Sequence, residues 1–169
     1  MSPSQKSELV LAIFPTSRGF GWVLFEGPMA PVNWGIASVK RNRSAWCMTR
    51  FGKLIDLYRP KAILLEVNDS PEDVPRNRVA TLAQDMRGFG VNRDIDVHVY
   101  SRAEIATSLL SNEHASRADV VEVVAELLPI LRDRLPPPKR PWQSVDGRRC
   151  LFDAAALGIA HYRITRRNS

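Results

Sequence analysis

Ala62-Ile63-Leu64-Leu65-Glu66-Val67 is a six-residue run that carries a single charge. A run this short and this apolar reads as a strand covered on both faces, because a half-buried strand would alternate. Glu66 is therefore out of character: a carboxylate does not enter such a strand cheaply when it has no partner. It stands at the strand's C-terminal end, where open α/β sheets place their ligands. The plain alternative is an exposed strand-end glutamate or a helper to the next helix's N-cap.

Upstream, Ala45, Met48, Phe51, Leu54, Ile55 and Tyr58 recur at helical spacing. Ser44 stands where an N-cap is wanted, and Pro60 ends the helix. Earlier still, Leu9–Phe14, Phe20–Phe25 and Val32–Val39 read as strands. The short turns between them imply an antiparallel meander. Downstream, a helix is expected at about Arg78–Arg87, closed by Gly88, and Ile95–Tyr100 alternates as a fifth strand. Further helices are expected near Arg102–Leu110, Ser116–Arg132 and Asp146–Ile164, the last two separated by the proline-rich loop Leu135-Pro136-Pro137-Pro138-Lys139-Arg140-Pro141. The order of three strands, helix, strand, helix, strand and three helices predicts an α/β domain with a mixed five-stranded sheet and helices on both faces. No repeat or linker divides the chain, so residues 1–169 read as one domain, with 1–7 and 165–169 as flexible tails.

Composition narrows the class. The chain is 44% apolar and 25% charged, as soluble globular proteins are. Its two cysteines, Cys47 and Cys150, cannot form a disulfide framework, and no spacing suits a zinc site. The opening is polar, and the apolar run behind it is too short for a signal segment or a membrane span, so a cytoplasmic protein with no membrane partner is expected. The net charge is +6, and 19 of the 24 basic residues are arginine. Arginine grips phosphate in a bidentate fork, which suits a nucleic-acid partner, although a GC-rich coding sequence would also favour arginine.

The last helix begins Cys150-Leu151-Phe152-Asp153-Ala154-Ala155-Ala156-Leu157-Gly158-Ile159-Ala160-His161. It is apolar nearly all round and should be buried, so Asp153 within it is a second misplaced carboxylate. Its alternative is an acid in an early turn, favoured by the helix dipole. With these pieces in place the sequence resembles the RuvC family of Holliday junction resolvases, within the RNase H-like superfamily. Leu11-Ala12-Ile13-Phe14-Pro15-Thr16-Ser17-Arg18-Gly19-Phe20-Gly21-Trp22 is similar to that family's first hairpin, and Leu64-Leu65-Glu66 to its second acidic strand. Val99-Tyr100-Ser101-Arg102 and Ala115-Ser116-Arg117-Ala118-Asp119-Val120-Val121 resemble the segment leading to its last helices, and Asp153–His161 its closing acidic helix. The resemblance implies an RNase H-like three-layer fold. It also implies metal-assisted phosphodiester hydrolysis at branched DNA, with carboxylates from the first and fourth strands and the last helix holding two Mg²⁺ or Mn²⁺ ions. A homodimer formed through the helix at Arg78–Arg87 is implied as well.

The sequence departs from the family pattern at the carboxylates. The first-strand aspartate aligns with Phe14, and the first aspartate of the last helix with Cys150. Glu66 and Asp153 remain as a catalytic remnant and as metal ligands of a weakened or absent site. A phenyl ring cannot ligate Mg²⁺, and a thiolate is too soft for it. Asp146, Asp69 and Glu26 are possible replacements, Asp146 also fitting an N-cap. The basic positions are better kept: Arg18, Lys40-Arg41-Asn42-Arg43, Arg76, Arg78, Lys139, Arg140, Arg148 and Arg149 are candidate nucleic-acid contacts. Arg163, Arg166 and Arg167 close the chain. Trp22, Trp34, Trp46 and Trp142 could stack on bases, Trp142 best and Trp46 least. His161 either faces the cleft of Asp153 or is a hydrogen-bonded core histidine. Three functions follow: a nucleic-acid binder of this fold with an impaired metal site, an active structure-specific endonuclease, or a protein-binding scaffold.

Overall fold

A computed structural model describes residues 8–16, 18–38, 43–67, 78–134 and 148–167. The chain forms β1 (Val10–Thr16), β2 (Gly19–Gly27), β3 (Ala30–Ser38), α1 (Arg43–Tyr58), β4 (Ala62–Val67), α2 (Arg78–Asn92), β5 (Asp96–Ser101), α3 (Arg102–Leu110), α4 (Arg117–Leu127), a 3-10 turn at Pro129–Arg134, and α5 (Arg149–Arg167). The five strands lie in the order β3-β2-β1-β4-β5. The first three form the antiparallel meander, while β4 runs parallel to both β1 and β5. The sheet is mixed, as the order of elements predicts.

β1 is central, and its sequence explains why. Val10, Leu11, Ala12 and Ile13 are all fully buried. Alternate residues serve opposite faces: Val10 and Ala12 pack with α3, α4 and α5, whereas Leu11 and Ile13 pack with α1 and α2. Two cores result, one on each side of the sheet. α5 is buried without interruption from Cys150 to His161. Two glycines admit it to the sheet: a Cβ on Gly158 would lie 2.0 Å from the Phe25 ring, and one on Gly21 2.5 Å from the Cys150 carbonyl oxygen.

Several boundaries differ from the sequence reading. α1 starts at Arg43, so Ser44 lies inside the helix rather than at its N-cap. α1 ends in a left-handed residue, Arg59 (φ 45°), immediately before Pro60. α2 does not stop at Gly88 but runs to Asn92. Gly88 is not in the left-handed conformation that would close a helix, and the turn comes instead at Asp94 (φ 58°). Pro129 cuts the expected long helix at Leu127 and leaves a 3-10 turn behind it, because proline cannot donate to the helical ladder. α5 begins at Arg149, three residues after the expected start, and continues to Arg167 through residues expected to be tail.

Two of the helical glycines, Gly158 and Gly88, make a paired prediction. Gly158→Ala forces a methyl group into the fully buried Phe25 ring and should destabilise the fold by about 1–3 kcal/mol. Gly88→Ala meets nothing within 4 Å and should stabilise it by up to about 1 kcal/mol through helix propensity. Urea unfolding of the two variants checks this; equal effects would contradict the close α5–sheet contact.

Candidate nucleic-acid cleft

The C-terminal ends of β1, β3, β4 and β5 lie at one end of the sheet, as the register shows: Thr16 pairs with Gly19, Gly19 with Ser38, Ile13 with Leu65, and Glu66 with Tyr100. Glu66 shares its face of β4 with Ala62 and Leu64, which pack in the α5 core. Phe14 follows Ile13 on the neighbouring strand and packs at the margin of that core. Asp153, on the second turn of α5, is brought over the same strand ends and is only 6% exposed. Glu66, Asp153 and Phe14 therefore meet.

A residue without an assigned role in the sequence reading joins them. Arg117 is the first residue of α4, whose N-terminus is fixed by a capping box: Asp119 N–H donates to Ser116 Oγ, and Ser116 N–H donates to the Asp119 carboxylate, each at 3.1 Å. From there the guanidinium reaches both acids. Nη2 donates to Glu66 Oε1 at 3.3 Å, and Nη1 donates to Glu66 Oε2 at 3.5 Å and to Asp153 Oδ1 at 3.4 Å. Its central carbon lies 5.1 Å from the centroid of the Phe14 ring, within cation–π range. One arginine thus bridges two carboxylates and rests on the Phe14 ring beside them. A signal for it existed: a cation in the first turn opposes the helix dipole, so Arg117 needs compensation from elsewhere in the fold.

Burial pushes the Asp153 carboxyl up to about 6; Arg117 and Arg149 pull it down, and Glu66 pushes it up. Arg149 is half-buried beside it, with a buried Nε that has no hydrogen-bond partner among the described residues. Cys150 is buried against Gly21.

The described residues of the cleft do not by themselves suit a divalent ion. Among the described residues no three His, Cys, Asp or Glu side chains come together as metal ligands. Three of the four oxygens of Glu66 and Asp153 already accept from Arg117. Of the replacements considered, Glu26 is exposed near the end of β2 opposite the cleft, where β1 begins, and Asp69 and Asp146 lie outside the described residues.

The other candidates divide. Arg18, exposed in the β1–β2 turn, stands at the cleft end of the sheet, as do Arg148 and Arg149 at the start of α5. Arg43 and Arg78 open α1 and α2, which follow β3 and β4 at that end. Arg41, Arg76, Lys139, Arg140 and Trp142 lie outside the described residues. Trp22, Trp34 and Trp46 are half-buried against the two cores rather than presented for stacking. His161 is a core residue: its Nδ1 shares a 2.7 Å hydrogen bond with the Tyr100 hydroxyl. Burial, with smaller contributions from His98 and Lys61, lowers its pKa to about 4, so it is neutral at pH 7. Among the described residues no helix is long and apolar enough to cross a membrane.

This is the RuvC-like fold of the RNase H-like class. The chain is similar to the Thermus thermophilus RuvC structure, with 18% identity, a TM-score of 0.68, and coverage of 95% of this chain and 96% of that one. T. thermophilus RuvC in complex with Holliday junction substrate gives 17% identity and a TM-score of 0.70, over 95% and 96% of the two chains. The yeast mitochondrial Holliday junction resolvase Ydc2 gives 14% and 0.58, over 99% of this chain and 83% of that one. No family model matches the sequence, and no curated protein does.

The Asp153 pKa has a consequence for stability. A carboxyl raised from 3.8 to about 6 on folding favours the fold fully below its unfolded value, and that contribution is lost as pH rises through about 6. Asp153→Asn should therefore gain stability relative to wild type between pH 4 and 7, on the order of 1–3 kcal/mol. Denaturant midpoints at stepped pH measure the difference, and His161 cancels because both proteins carry it. Parallel curves would contradict the buried, raised carboxyl.

Proposed function

We propose that this chain is a RuvC-like nucleic-acid-binding protein that engages branched or double-stranded DNA at the strand-end cleft, with a metal site impaired for phosphodiester hydrolysis. The observation that carries the reading is the composition of the cleft floor. Two carboxylates, Glu66 and Asp153, share it with the Phe14 ring and the Arg117 guanidinium. Two-metal hydrolysis needs several oxygen ligands around two ions about 4 Å apart. Phe14 and Cys150 supply no hard oxygen at the positions where the resemblance places aspartates.

The distribution of charge supports binding over a scaffold. Arg18, Arg102, Arg148 and Arg149 stand at the cleft end, with α1 and α2 opening on Arg43 and Arg78. Among the described residues four acids at that end are engaged locally: Glu104 and Asp119 cap helices, and Glu66 and Asp153 hold Arg117. A phosphate backbone would meet forked arginine donors there.

Similar proteins support the DNA partner: T. thermophilus RuvC is seen in complex with Holliday junction substrate, and the yeast mitochondrial protein is a Holliday junction resolvase. A homodimer, implied by the family resemblance, and a cytoplasmic location complete the proposal.

The test is an electrophoretic shift of a four-way junction and of a duplex in chelator, across a salt series. Binding without metal is expected, with log affinity falling steeply and linearly in log salt. Incubation with Mg²⁺ or Mn²⁺ should leave the junction intact. Absence of binding at low salt sinks the DNA reading; cleavage that Glu66→Ala abolishes sinks the impairment.

A further inference from the structure

We propose that Arg117 is the resident cation of the cleft, occupying the place between Glu66 and Asp153 that a divalent ion would need, and that it is the residue which keeps such an ion out. The inference deepens the proposed reading by naming the group that closes the site.

Four observations converge on it. The guanidinium contacts three of the four carboxylate oxygens, and Nη1 alone spans the two acids. Arg117 is 31% exposed over side chains that are 11% and 6% exposed, so it stands between solvent and the acids. Its other side meets the Phe14 ring, whose face attracts an organic cation and offers no lone pair to a metal. The capping box at Ser116 and Asp119 fixes the helix end from which it extends.

Charge arithmetic gives the same answer. Glu66 and Asp153 bring two negative charges at most, and Arg117 and Arg149 bring two positive ones to the same neighbourhood. Among the described residues the pocket is close to neutral without an ion. Arginine cannot deprotonate to leave, unlike lysine or histidine. Mg²⁺ would have to displace a fixed fork, shed much of its water and accept a phenyl ring as a neighbour.

Replacing Arg117 with an uncharged side chain of similar length should therefore uncover a latent divalent site. Chelator-treated protein is titrated with Mn²⁺ without DNA, and the free ion is followed by electron paramagnetic resonance. Wild type should leave the free-Mn²⁺ signal unchanged, whereas Arg117→Met should bind at least about tenfold more tightly. Adding Glu66→Gln to Arg117→Met should remove the gain. Wild type binding as tightly as Arg117→Met overturns the proposal, as does a variant with no gain or a gain that survives Glu66→Gln. If Arg117→Met does not fold, wild type decides: paramagnetic broadening by Mn²⁺ of the amide resonances of Glu66 and Asp153 overturns the proposal, and unbroadened resonances support it. Because no DNA is present, these outcomes stand apart from the junction-binding test.

Discussion

A buried carboxylate, Asp153, and a half-buried one, Glu66, at the end of an apolar sheet cannot be left alone. Glu66 and Asp153 are drawn together by elements that are there for packing: β4 because its residues fill both cores, and α5 because Gly21 and Gly158 let it settle on the sheet. Such proximity has a cost in desolvation and mutual repulsion, visible in the raised carboxyl of Asp153. Some cation must offset it. In this molecule the cation is covalently part of the chain, and the way α4 begins is organised around presenting it.

That arrangement separates two properties that a metal-loaded cleft would combine. Holding phosphates needs distributed positive charge with forked donors; breaking a phosphodiester needs concentrated charge with exchangeable water. On the proposed reading the arginines at the strand ends serve the first, whereas the floor of the cleft, with an aromatic ring and a guanidinium among its two acids, is not built for the second. Phe14 also contributes packing, where its side chain adds apolar contact at the edge of the α5 core.

Much of this was legible in the residues. The unbroken apolar character of Leu9–Phe14 and Ala62–Leu65 marked two buried strands, which the structure sets side by side, and the short turns around Gly19 and Gly27 implied the meander. The small-residue face of α5 announced a buried helix. Glu66 and Asp153 stood out because each broke an apolar pattern. Arg117 did not stand out, because an arginine at a helix start looks like solvated surface until its long side chain is seen to turn inward. The boundaries failed where local signals compete. Gly88 reads as a stop, yet α2 continues past it because a glycine there costs only about 1 kcal/mol and the buried Gly90 packs against Val97 and Ile63. Pro129 ends α4 inside the expected Ser116–Arg132 helix, because proline cannot continue the helical ladder. His161 could be placed either way by spacing, and only the partner strand, carrying Tyr100, decides for the core.

The most direct measurement is anomalous diffraction from crystals soaked in manganese. The account predicts continuous density for the Arg117 guanidinium between the two carboxylates and a flat anomalous map there. A strong manganese peak ligated by Glu66 and Asp153, with Arg117 swung away, would contradict it.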